Sequence, residues 1–296
     1  MSSGRPELSN PHIARLQFDE LEFDVEGISV AGVETWLRIP QWSLAIDAGH
    51  AAVEVARCRH LAITHAHMDH AGGIGNYLAL RRLYQLGTSH VYVPANTVEH
   101  IRAIVDHWQQ LQGQPFDWQL HAAGPGDRFE LARNLYLEAL PADHVIEALG
   151  YAVWKTVDKL KAEFSHLSPQ HIASLRKKGE QVTTPVQRLL LAVSGDTRIS
   201  MVDSVEALHT ASVSLIETTF LDQRRTVERA DAGGHIHLSQ LSERALDWQV
   251  DHLVPYHISQ RYDVATARDL LSRALSEKFS ASLQPLLPPS PTVATD

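Results

Sequence analysis

The stretch Thr64-His-Ala-His-Met-Asp-His-Ala-Gly-Gly73 decides the fold of this chain, because it places four potential metal ligands within six positions: His65, His67, Asp69 and His70. The apolar run 61–64 predicts a buried strand, and residues 71–86 predict a helix that ends at Gly87. The ligands therefore lie on a tight connection between a strand and a helix. The first two can point to one side of the turn and the last two to the other. This spacing favours two metal ions over one.

The ligand types indicate which metal such a site would bind. Imidazole and carboxylate suit zinc, with manganese or iron as alternatives. A closed structural zinc site usually contains thiolates, and Cys58 is the single cysteine of the chain. A thiolate-rich site and an intrachain disulfide are therefore both excluded. The alternative interpretation is a surface cluster of histidines without metal, and the ligands supplied elsewhere in the chain argue against it.

Three further candidate ligands each follow an apolar run that predicts a strand: His144 after residues 135–140, Asp196 after residues 189–193, and His257 after residues 253–256. Their shared placement at strand ends favours ligands over ordinary surface or core residues. Asp196 is the natural bridge, because a carboxylate has two oxygens and can bind two ions. The predicted first metal site contains His65, His67 and His144, and the second contains Asp69, His70 and His257. Two metal ions about 3.5–4 Å apart activate water and bind an attacked phosphoryl or acyl group, which predicts hydrolysis.

The chain has 296 residues, 44% of them hydrophobic and 21% charged, which predicts one large globular domain or two closely packed halves. Predicted strands alternate with helices, of which the clearest are 98–112 and one that starts after Asp263. The strands are expected at 44–46, 61–64, 91–93, 189–194, 213–217 and 253–257. This alternation predicts an α/β fold of two packed sheets with helices outside. Residues 285–296 contain four prolines and are predicted to be a disordered tail.

Targeting signals are not evident in the sequence. The chain has no run of about 18 apolar residues, so no membrane span is expected. Its first residues, Met-Ser-Ser-Gly-Arg-Pro-Glu-Leu, lack the apolar stretch of a secretory signal. The sequence therefore predicts a cytoplasmic location.

With this ligand set, the chain resembles the metallo-β-lactamase superfamily and, within it, short-form ribonuclease Z (tRNA 3′ endonuclease) of the plant type. The resemblance spans about residues 26–265. Besides the stretch from Thr64, it is carried by Gly27-Ile-Ser-Val-Ala-Gly-Val-Glu-Thr35, Ala45-Ile-Asp-Ala-Gly49, Asp143-His-Val-Ile-Glu-Ala-Leu-Gly-Tyr151, Ser194-Gly-Asp-Thr197, Glu217-Thr-Thr-Phe-Leu-Asp222, Gly234-His-Ile-His-Leu-Ser239 and His257-Ile-Ser-Gln-Arg-Tyr262. The last three segments are the most specific to this nuclease group. The resemblance implies a metallo-β-lactamase αββα sandwich, with a single domain at 1–284 and a protruding basic arm inserted at about 155–184.

The resemblance also implies an activity. Enzymes of this group remove the 3′ trailer of precursor tRNA and leave a 3′-hydroxyl on the tRNA. Two Zn²⁺ per chain would be bound by the seven ligands, with Asp69 also placed to orient or deprotonate the attacking water. A homodimer is implied too, in which the arm of one subunit presents tRNA to the site of the other.

Glu217 and His235 carry over from the resemblance as the proton-handling pair. Cleaving a phosphodiester leaves a ribose oxygen that must gain a proton, and a histidine held by a carboxylate is a good donor near neutral pH. His237 is the alternative donor. Ser259 and Arg261, just past the last ligand, are candidate contacts to substrate phosphate, and a surface cation is the alternative interpretation of Arg261.

Ribonucleases of this group hold tRNA with an arm between their third and fourth ligand motifs. From Lys155 to Glu180 this chain has six basic and three acidic residues, a local charge of +3 in a chain of net charge −9. The basic residues are Lys155, Lys159, Lys161, Arg176, Lys177 and Lys178. Ser168 and Pro169 predict the start of a short helix that ends at Gly179. We expect this segment to bind tRNA phosphates locally, and a solvated helix face is the alternative.

Two other functions fit the same ligands. One is hydrolysis of a small molecule such as a phosphodiester, thioester or lactone, which the fold alone does not exclude. The basic segment and the pair of Glu217 and His235 argue against it. The other is a catalytically silent, metal-stabilised interaction module, which has no need of all seven ligands. The sixty residues between Asp196 and His257 leave no room for the long insertion of the mRNA-cleaving and DNA-repair branch.

Overall fold

Two β-sheets pack face to face in the computed structural model, which describes residues 13–18, 20–50, 52–244, 248–279 and 282–288. Within these residues the first sheet has eight strands. In spatial order they are β1 (Ala14–Gln17), β2 (Asp24–Ala31), β3 (Glu34–Ile39), β4 (Leu44–Ile46), β5 (His60–Ala62), β6 (Ser89–Pro94) and β7 (Trp118–Ala123), with β14 (Ile258–Ser259) beside β2. Strands β1 to β4 pair antiparallel, and β4 to β7 pair parallel.

The second sheet has seven strands in the same described residues. They are β8 (Arg128–Ala132), β9 (Leu135–Pro141), β10 (Leu149–Leu160), β11 (Thr183–Val193), β12 (Val213–Glu217), β13 (His252–Tyr256) and β15 (Ser282–Leu283). Strands β8 to β11 follow one another antiparallel, whereas β11, β12, β13 and β15 run parallel. Parallel strands end at the same edge of a sheet, so residues that directly follow β11, β12 and β13 are brought together.

Helices lie on the outer faces of the two sheets. The first sheet is covered by α1 (Val53–Ala56), α3 (Ile74–Leu83) and α4 (Val98–Gln112), and the second by α6 (Ile199–Ser204), α7 (Ala207–Thr210), α9 (Leu238–Glu243) and α10 (Val264–Leu275). Three more helices are α2 (Met68–Ala71), α5 (Pro169–Lys177) and α8 (Val227–Ala232). The order of layers is therefore helix, sheet, sheet, helix, and the predicted αββα sandwich is confirmed.

Strand β6 shows how the sequence builds these layers. Tyr92 belongs to the apolar core between the two sheets, whereas its neighbours Val91 and Val93 belong to the core under the outer helices. Successive side chains of a strand point to opposite faces, so an uninterrupted apolar run is needed where both faces are covered. Such runs were the signal by which the sequence predicted the central strands.

The single helix predicted for 71–86 is wrong in its bounds. The chain forms α2 directly after His67, breaks at Gly72 and Gly73, and resumes as α3, which ends at Leu83. A Cβ at Gly72 would lie 2.5 Å from the Met68 carbonyl oxygen, so this close approach requires glycine. The amide of Gly73 donates to the carbonyl of Ala48. The break separates the ligand turn from the longer helix.

Strands β10 and β11 extend beyond the sheet as an antiparallel hairpin. Their pairing continues from Tyr151 opposite Val193 to Leu160 opposite Thr183, and the strands become exposed toward the far end. Between them lies the predicted helix α5, whose first turn is capped by the Ser168 hydroxyl accepting from the His171 amide. The segment predicted as an arm is therefore a hairpin that carries a short exposed helix.

The predicted disorder from Pro285 is wrong for the part of the tail that the structure describes. Strand β15 pairs with β13, the Leu286 amide donates to the Pro255 carbonyl, and Leu286 and Leu287 are buried. Leu286 and Leu287 fill the edge of the core. The number of prolines in this segment predicted disorder and gave no sign of this packing. Residues 289–296 lie outside the described residues. Among the described helices, none combines the length and apolar character that a membrane crossing requires.

Candidate metal centre

The ligand turn lies at the end of β5, where the chain passes into α2. His65 follows the strand, His67 precedes the helix in an extended conformation, and Asp69 and His70 lie in its single turn. His65 and His70 are buried, whereas His67 and Asp69 are partly exposed. Sequence neighbours are thus divided between two sides of the turn.

The first group of predicted ligands converges around His67. Its Nδ1 lies 3.0 Å from Nε2 of His65 and 3.4 Å from Nε2 of His144. Ligands of a tetrahedral zinc ion with Zn–N distances of about 2.0–2.1 Å lie roughly 3.3 Å apart. The spacing of these nitrogens fits a shared cation.

The second group forms on the other side of the turn. Nε2 of His70 lies 3.1 Å from Nε2 of His257, and Oδ2 of Asp69 lies 3.6 Å from the former and 3.7 Å from the latter. All ligand atoms of this triad lie within 4.8 Å of one another. The two imidazoles are 187 residues apart in the sequence.

Asp196 lies between the two groups. Its Oδ2 is 3.7 Å from Nε2 of His65 and 3.4 Å from Nε2 of His70. Its Oδ1 is buried and makes no hydrogen bond with the described residues. Nδ1 of His257 lies 3.3 Å from this Oδ1 without forming a hydrogen bond, and a buried carboxylate oxygen without a hydrogen bond is costly unless a cation binds it, so the residues present fit a site for two metal ions. The structure brings together all seven residues that the sequence predicted as ligands.

A second layer of residues fixes the imidazoles, and the sequence prediction missed it. Nδ1 of His70 bonds to Asp47 at 2.8 Å, and Nδ1 of His65 to the Thr64 hydroxyl, which itself donates to Asp47. These bonds leave each Nε2 facing the metal side. Asp47 follows an apolar strand just as the ligands do, so the same sequence signal could have found it.

The other histidine ligands are held in the same way. Nδ1 of His144 donates to the carbonyl of Gly234 at 2.8 Å, and Nδ1 of His257 contacts the Thr219 hydroxyl at 3.0 Å. A Cβ at Gly234, which has a φ of 77°, would lie 2.5 Å from the His144 Nδ1, so this position requires glycine. His257 itself has a φ of 59°, a left-handed conformation that a histidine adopts at some cost.

Burial and charge set the protonation of the ligands in the metal-free chain. Burial lowers the pKa of His65 well below its usual value and also lowers the pKa of His67 and His144, so these imidazoles are neutral. Burial would lower the pKa of His70 too, but the Asp196 and Asp47 carboxylates raise it well above its usual value. His70 therefore carries a proton on Nε2 in the metal-free chain, and a cation bound at Nε2 would displace it.

His235 and Glu217 form a hydrogen-bonded pair beside this centre. Nδ1 of His235 lies 3.0 Å from Oε1 of Glu217, whose carboxylate also accepts from the amides of Thr219 and Ile236. Burial lowers the pKa of His235, but the charge and hydrogen bond of Glu217, with Asp196, raise it to about 9. Nδ1 of His235 is also within ligand distance of Asp196 and His257, although Glu217 occupies it.

The rival donor, His237, is occupied elsewhere. Its Nδ1 accepts from the Ser239 amide at the start of α9, and its Nε2 lies 3.2 Å from the Asp222 carbonyl. The imidazole is buried and caps a helix. This geometry favours His235 as the group that faces the cleft.

The predicted substrate contacts lie in two separate places. Ser259 and Arg261 line a cavity together with His235. The arm residues lie on the hairpin, where Lys155 pairs with Glu22 at 3.0 Å and Lys161 with Glu163 at 3.8 Å. Of the residues that the structure describes, none forms an ion pair with Lys159, Arg176, Lys177 or Lys178.

A two-sheet sandwich with a histidine and aspartate cluster at one edge defines the class of metallo-β-lactamase-fold hydrolases, which bind two metal ions. Residues 40–258 match the family described as the beta-lactamase superfamily domain. Two curated relatives from Arabidopsis thaliana are 32% identical: tRNase Z TRZ2, chloroplastic, over 90% of this chain and 76% of the relative, and tRNase Z TRZ1, over 84% and 90%. The chain therefore belongs to the tRNase Z family within that superfamily, and the predicted resemblance to plant enzymes is confirmed.

Solved structures share the fold. The metallo-beta-lactamase fold protein YhfI from Bacillus subtilis aligns over 89% of this chain and 95% of its own, with a TM-score of 0.60 and 14% identity. Human tRNase Z, short form, aligns over 90% and 91%, with a TM-score of 0.53 and 17% identity. Identities this low establish the fold only.

Proposed function

We propose that this protein is a zinc-dependent endoribonuclease that removes the 3′ trailer of precursor tRNA and leaves a 3′-hydroxyl on the tRNA. The observation that carries the proposal is the pair of Glu217 and His235, held 3.0 Å apart beside the seven-ligand cluster. Hydrolysis of a thioester does not call for a proton donor, because a thiolate is a good leaving group. Cleavage of an RNA phosphodiester does, because ribose oxygen is a poor leaving group.

The seven ligands proposed for two zinc ions are the ones predicted from the sequence, and their donor types suit zinc. Zinc ions bound there supply Lewis-acid activation of the phosphate and of the attacking water. Burial would raise the pKa of Asp69, but the hydrogen bond and charge of His257 hold it well below its usual range. Asp69 is therefore a carboxylate at neutral pH and can accept a proton from the attacking water.

His235 gives the leaving oxygen its proton in this proposal. Its Nδ1 is occupied by Glu217, and its Nε2 makes no hydrogen bond with the described residues, so Nε2 is the atom that faces substrate. Glu217 keeps the ring oriented and protonated. Ser259 and Arg261 are proposed to bind the substrate close to this point.

The arm, for which we keep the bounds 155–184, is proposed to bind the body of the tRNA. Strand β10 starts beside the ligand turn, where the Leu149 amide donates to the Thr64 carbonyl. It has 12 residues, and at about 3.3 Å per residue its far end lies roughly 36 Å from that point. An arm that points away from its own metal centre suits a homodimer in which it serves the partner's site.

Zinc as the cellular metal, the homodimer and the cytoplasmic location are the finer parts of this proposal. One relative carries the word chloroplastic in its name, so the location stays a prediction from the sequence.

The test is incubation of the purified protein with a 3′-extended precursor tRNA and with a nitrophenyl phosphodiester. We expect cleavage that leaves a 3′-hydroxyl, and a loss of about 10²–10⁴ in turnover on RNA for His235→Ala with metal content unchanged. The loss should shrink on the nitrophenyl ester, whose leaving group needs no proton. His237→Ala is the matched control and should retain turnover on RNA. Hydrolysis of the ester without any cleavage of precursor tRNA would favour the small-molecule alternative.

A further inference from the structure

A cavity of about 450 Å³ adjoins His235, and its lining includes none of His65, His67 and His144. It is lined by Ala31, Gly32, Thr219, Phe220, His235, Ser259, Gln260 and Arg261. The Gly32 amide donates to Oδ2 of the ligand Asp69 at 2.8 Å, so the cavity begins where the metal centre ends. Its volume lies within the range of about 300–1,000 Å³ that is usual for small-ligand pockets.

The walls of this cavity are fixed by the fold. Strand β14 pairs with the end of β2, placing Ser259 opposite Ala31, and the Ser259 amide donates to the Thr219 carbonyl. The Tyr262 hydroxyl accepts from the amides of Leu221 and Asp222, which ties the loop after β14 to the loop after β12. A cavity held by strand pairing is formed before a ligand arrives.

The lining suits a nucleoside. Phe220 lies edge to face against His235, with ring centroids 6.0 Å apart and an interplanar angle of 84°. In the same lining, Gln260 offers an amide that both donates and accepts, and Arg261 offers guanidinium donors. Phe220 is buried and Arg225 lies over its ring, so Phe220 forms the wall behind His235, and the polar rim is the part of the lining that can contact a base by hydrogen bonds.

The chemistry of the proposed function decides which nucleoside lies there. In the cleavage step, water oxygen forms a bond to phosphorus while the bond from phosphorus to the 3′ oxygen breaks, and His235 gives that oxygen its proton. The nucleoside that carries the 3′ oxygen must therefore lie on the His235 side of the phosphate. The trailer, which keeps the phosphate, leaves on the opposite side.

We propose that this cavity binds the last nucleoside retained on the RNA, and that Gln260 and Arg261 contact its base and ribose. The inference rests on the proposed function. It assigns the two sides of the scissile phosphate and gives Gln260 a role that the sequence did not indicate.

The test uses three precursor tRNAs that differ at one nucleotide each: an unmodified one, one without the base of the last retained nucleotide, and one without the base of the first trailer nucleotide. For the wild-type protein, we expect loss of the retained base to lower kcat/KM roughly 10-fold or more, because its hydrogen bonds to Gln260 and Arg261 are lost. Loss of the trailer base should change kcat/KM less than about twofold, because the cavity of about 530 Å³ beside His144 is lined by the carboxylates Asp143 and Glu147 and by no Lys or Arg.

Two variants then ask whether the cavity is responsible. Gln260→Ala removes the amide from the polar rim, and Ala31→Leu narrows the cavity. Both variants should reduce the difference in kcat/KM between the unmodified RNA and the RNA that lacks the retained base. Gln110→Ala, on the exposed face of α4, is the matched control and should keep the wild-type ratio. Metal content and melting temperature of each variant report whether it is folded.

The inference would be overturned if kcat/KM fell equally on the two RNAs that lack a base. It would also be overturned if both cavity variants kept the wild-type ratio of kcat/KM between the unmodified RNA and the RNA without the retained base. In these cases the RNA is still cleaved, so the proposed endoribonuclease activity stands. If the wild-type protein cleaved none of the three RNAs, the proposed function itself would fail, and this inference with it.

Discussion

Replacing Glu217 by glutamine should move the alkaline limb of the pH–rate profile. Burial lowers the pKa of His235, and the charge and hydrogen bond of Glu217 outweigh it, so that the pKa reaches about 9. The ordinary pKa of a histidine is 6.5, and the difference corresponds to roughly 3 kcal/mol in favour of the imidazolium. His235 is only 20% exposed, so solvent screens this interaction little.

The sign of the effect follows from the role of His235 as an acid. Activity needs the protonated ring, so it is present below the pKa and lost as the pH rises through it. Without the Glu217 charge, burial remains and Asp196 is the main group that still raises the pKa. The variant pKa should fall to about 6.5 or lower, and kcat/KM on precursor tRNA at pH 8 should fall roughly 30-fold.

The assay is kcat/KM on precursor tRNA between about pH 6 and 10. Bound cations would lower the pKa of His235 in the wild type and in Glu217→Gln alike. The prediction is therefore the displacement between the pH–rate profiles of these two proteins. Glu228→Gln, the same change of charge at an exposed position of α8, should leave the limb in place. A nitrophenyl phosphodiester should show no displacement. The reasoning would be refuted if the Glu217→Gln limb coincided with the wild-type limb while metal content stayed the same.

Three other predictions follow from the structure. Asp196→Ala should lower metal content from about two equivalents per chain and activity by orders of magnitude, as elemental analysis and turnover will show, whereas one tightly bound metal with full activity would contradict the dinuclear site. Charge reversal of Arg176, Lys177 and Lys178 should raise KM for precursor tRNA and flatten its salt dependence without changing hydrolysis of a small phosphodiester; parallel loss of both activities would mean that the arm is structural. Burial, with the charges of neighbours, lowers the pKa of His60 from 6.5 to about 4, so its contribution to stability is complete above pH 6.5 and is lost as pH falls toward 4. Urea unfolding of the metal-free protein should show that lowering the pH from 7.5 to 5 costs about 2 kcal/mol more in the wild type than in His60→Phe, and equal costs would exclude His60 as the cause.

The ligands were predictable from the sequence because each is tied to a local signal. The turn from His65 to His70 has its own spacing, and His144, Asp196 and His257 each follow an apolar strand. The ends of parallel strands meet, so the placement of these residues at strand ends already implied that they converge. The layer order followed from strands that are apolar on both faces.

The parts that were missed depend on contacts between distant segments. Asp47 acts through Thr64 and His70, which lie on the neighbouring strand and the turn after it. Leu286 is buried because the edge of β13 pairs with one more strand, β15. The prolines around Leu286 predict irregular structure when only their sequence neighbours are considered. The break at Gly72 depends on two close approaches of its backbone, to the Met68 carbonyl within α2 and to the Gly49 carbonyl after β4. The burial of Leu286 is not encoded within a short window of sequence, whereas the place of Asp47 after an apolar strand and the pair Gly72-Gly73 are local signals that the prediction did not use.

The 187 residues that separate His70 from His257 have a consequence for how the molecule is made. The second metal triad draws on both sheets, so it exists only after the strand that leads to His257 has been synthesised and docked. Contacts of such long sequence separation carry a high loop-closure entropy and slow folding. During synthesis the first sheet must therefore hold an unfilled pair of ligands, Asp69 and His70, until the other half of the chain arrives. Metal uptake at this triad can therefore only follow the docking of the two sheets, and it reports that the strand leading to His257 is in place.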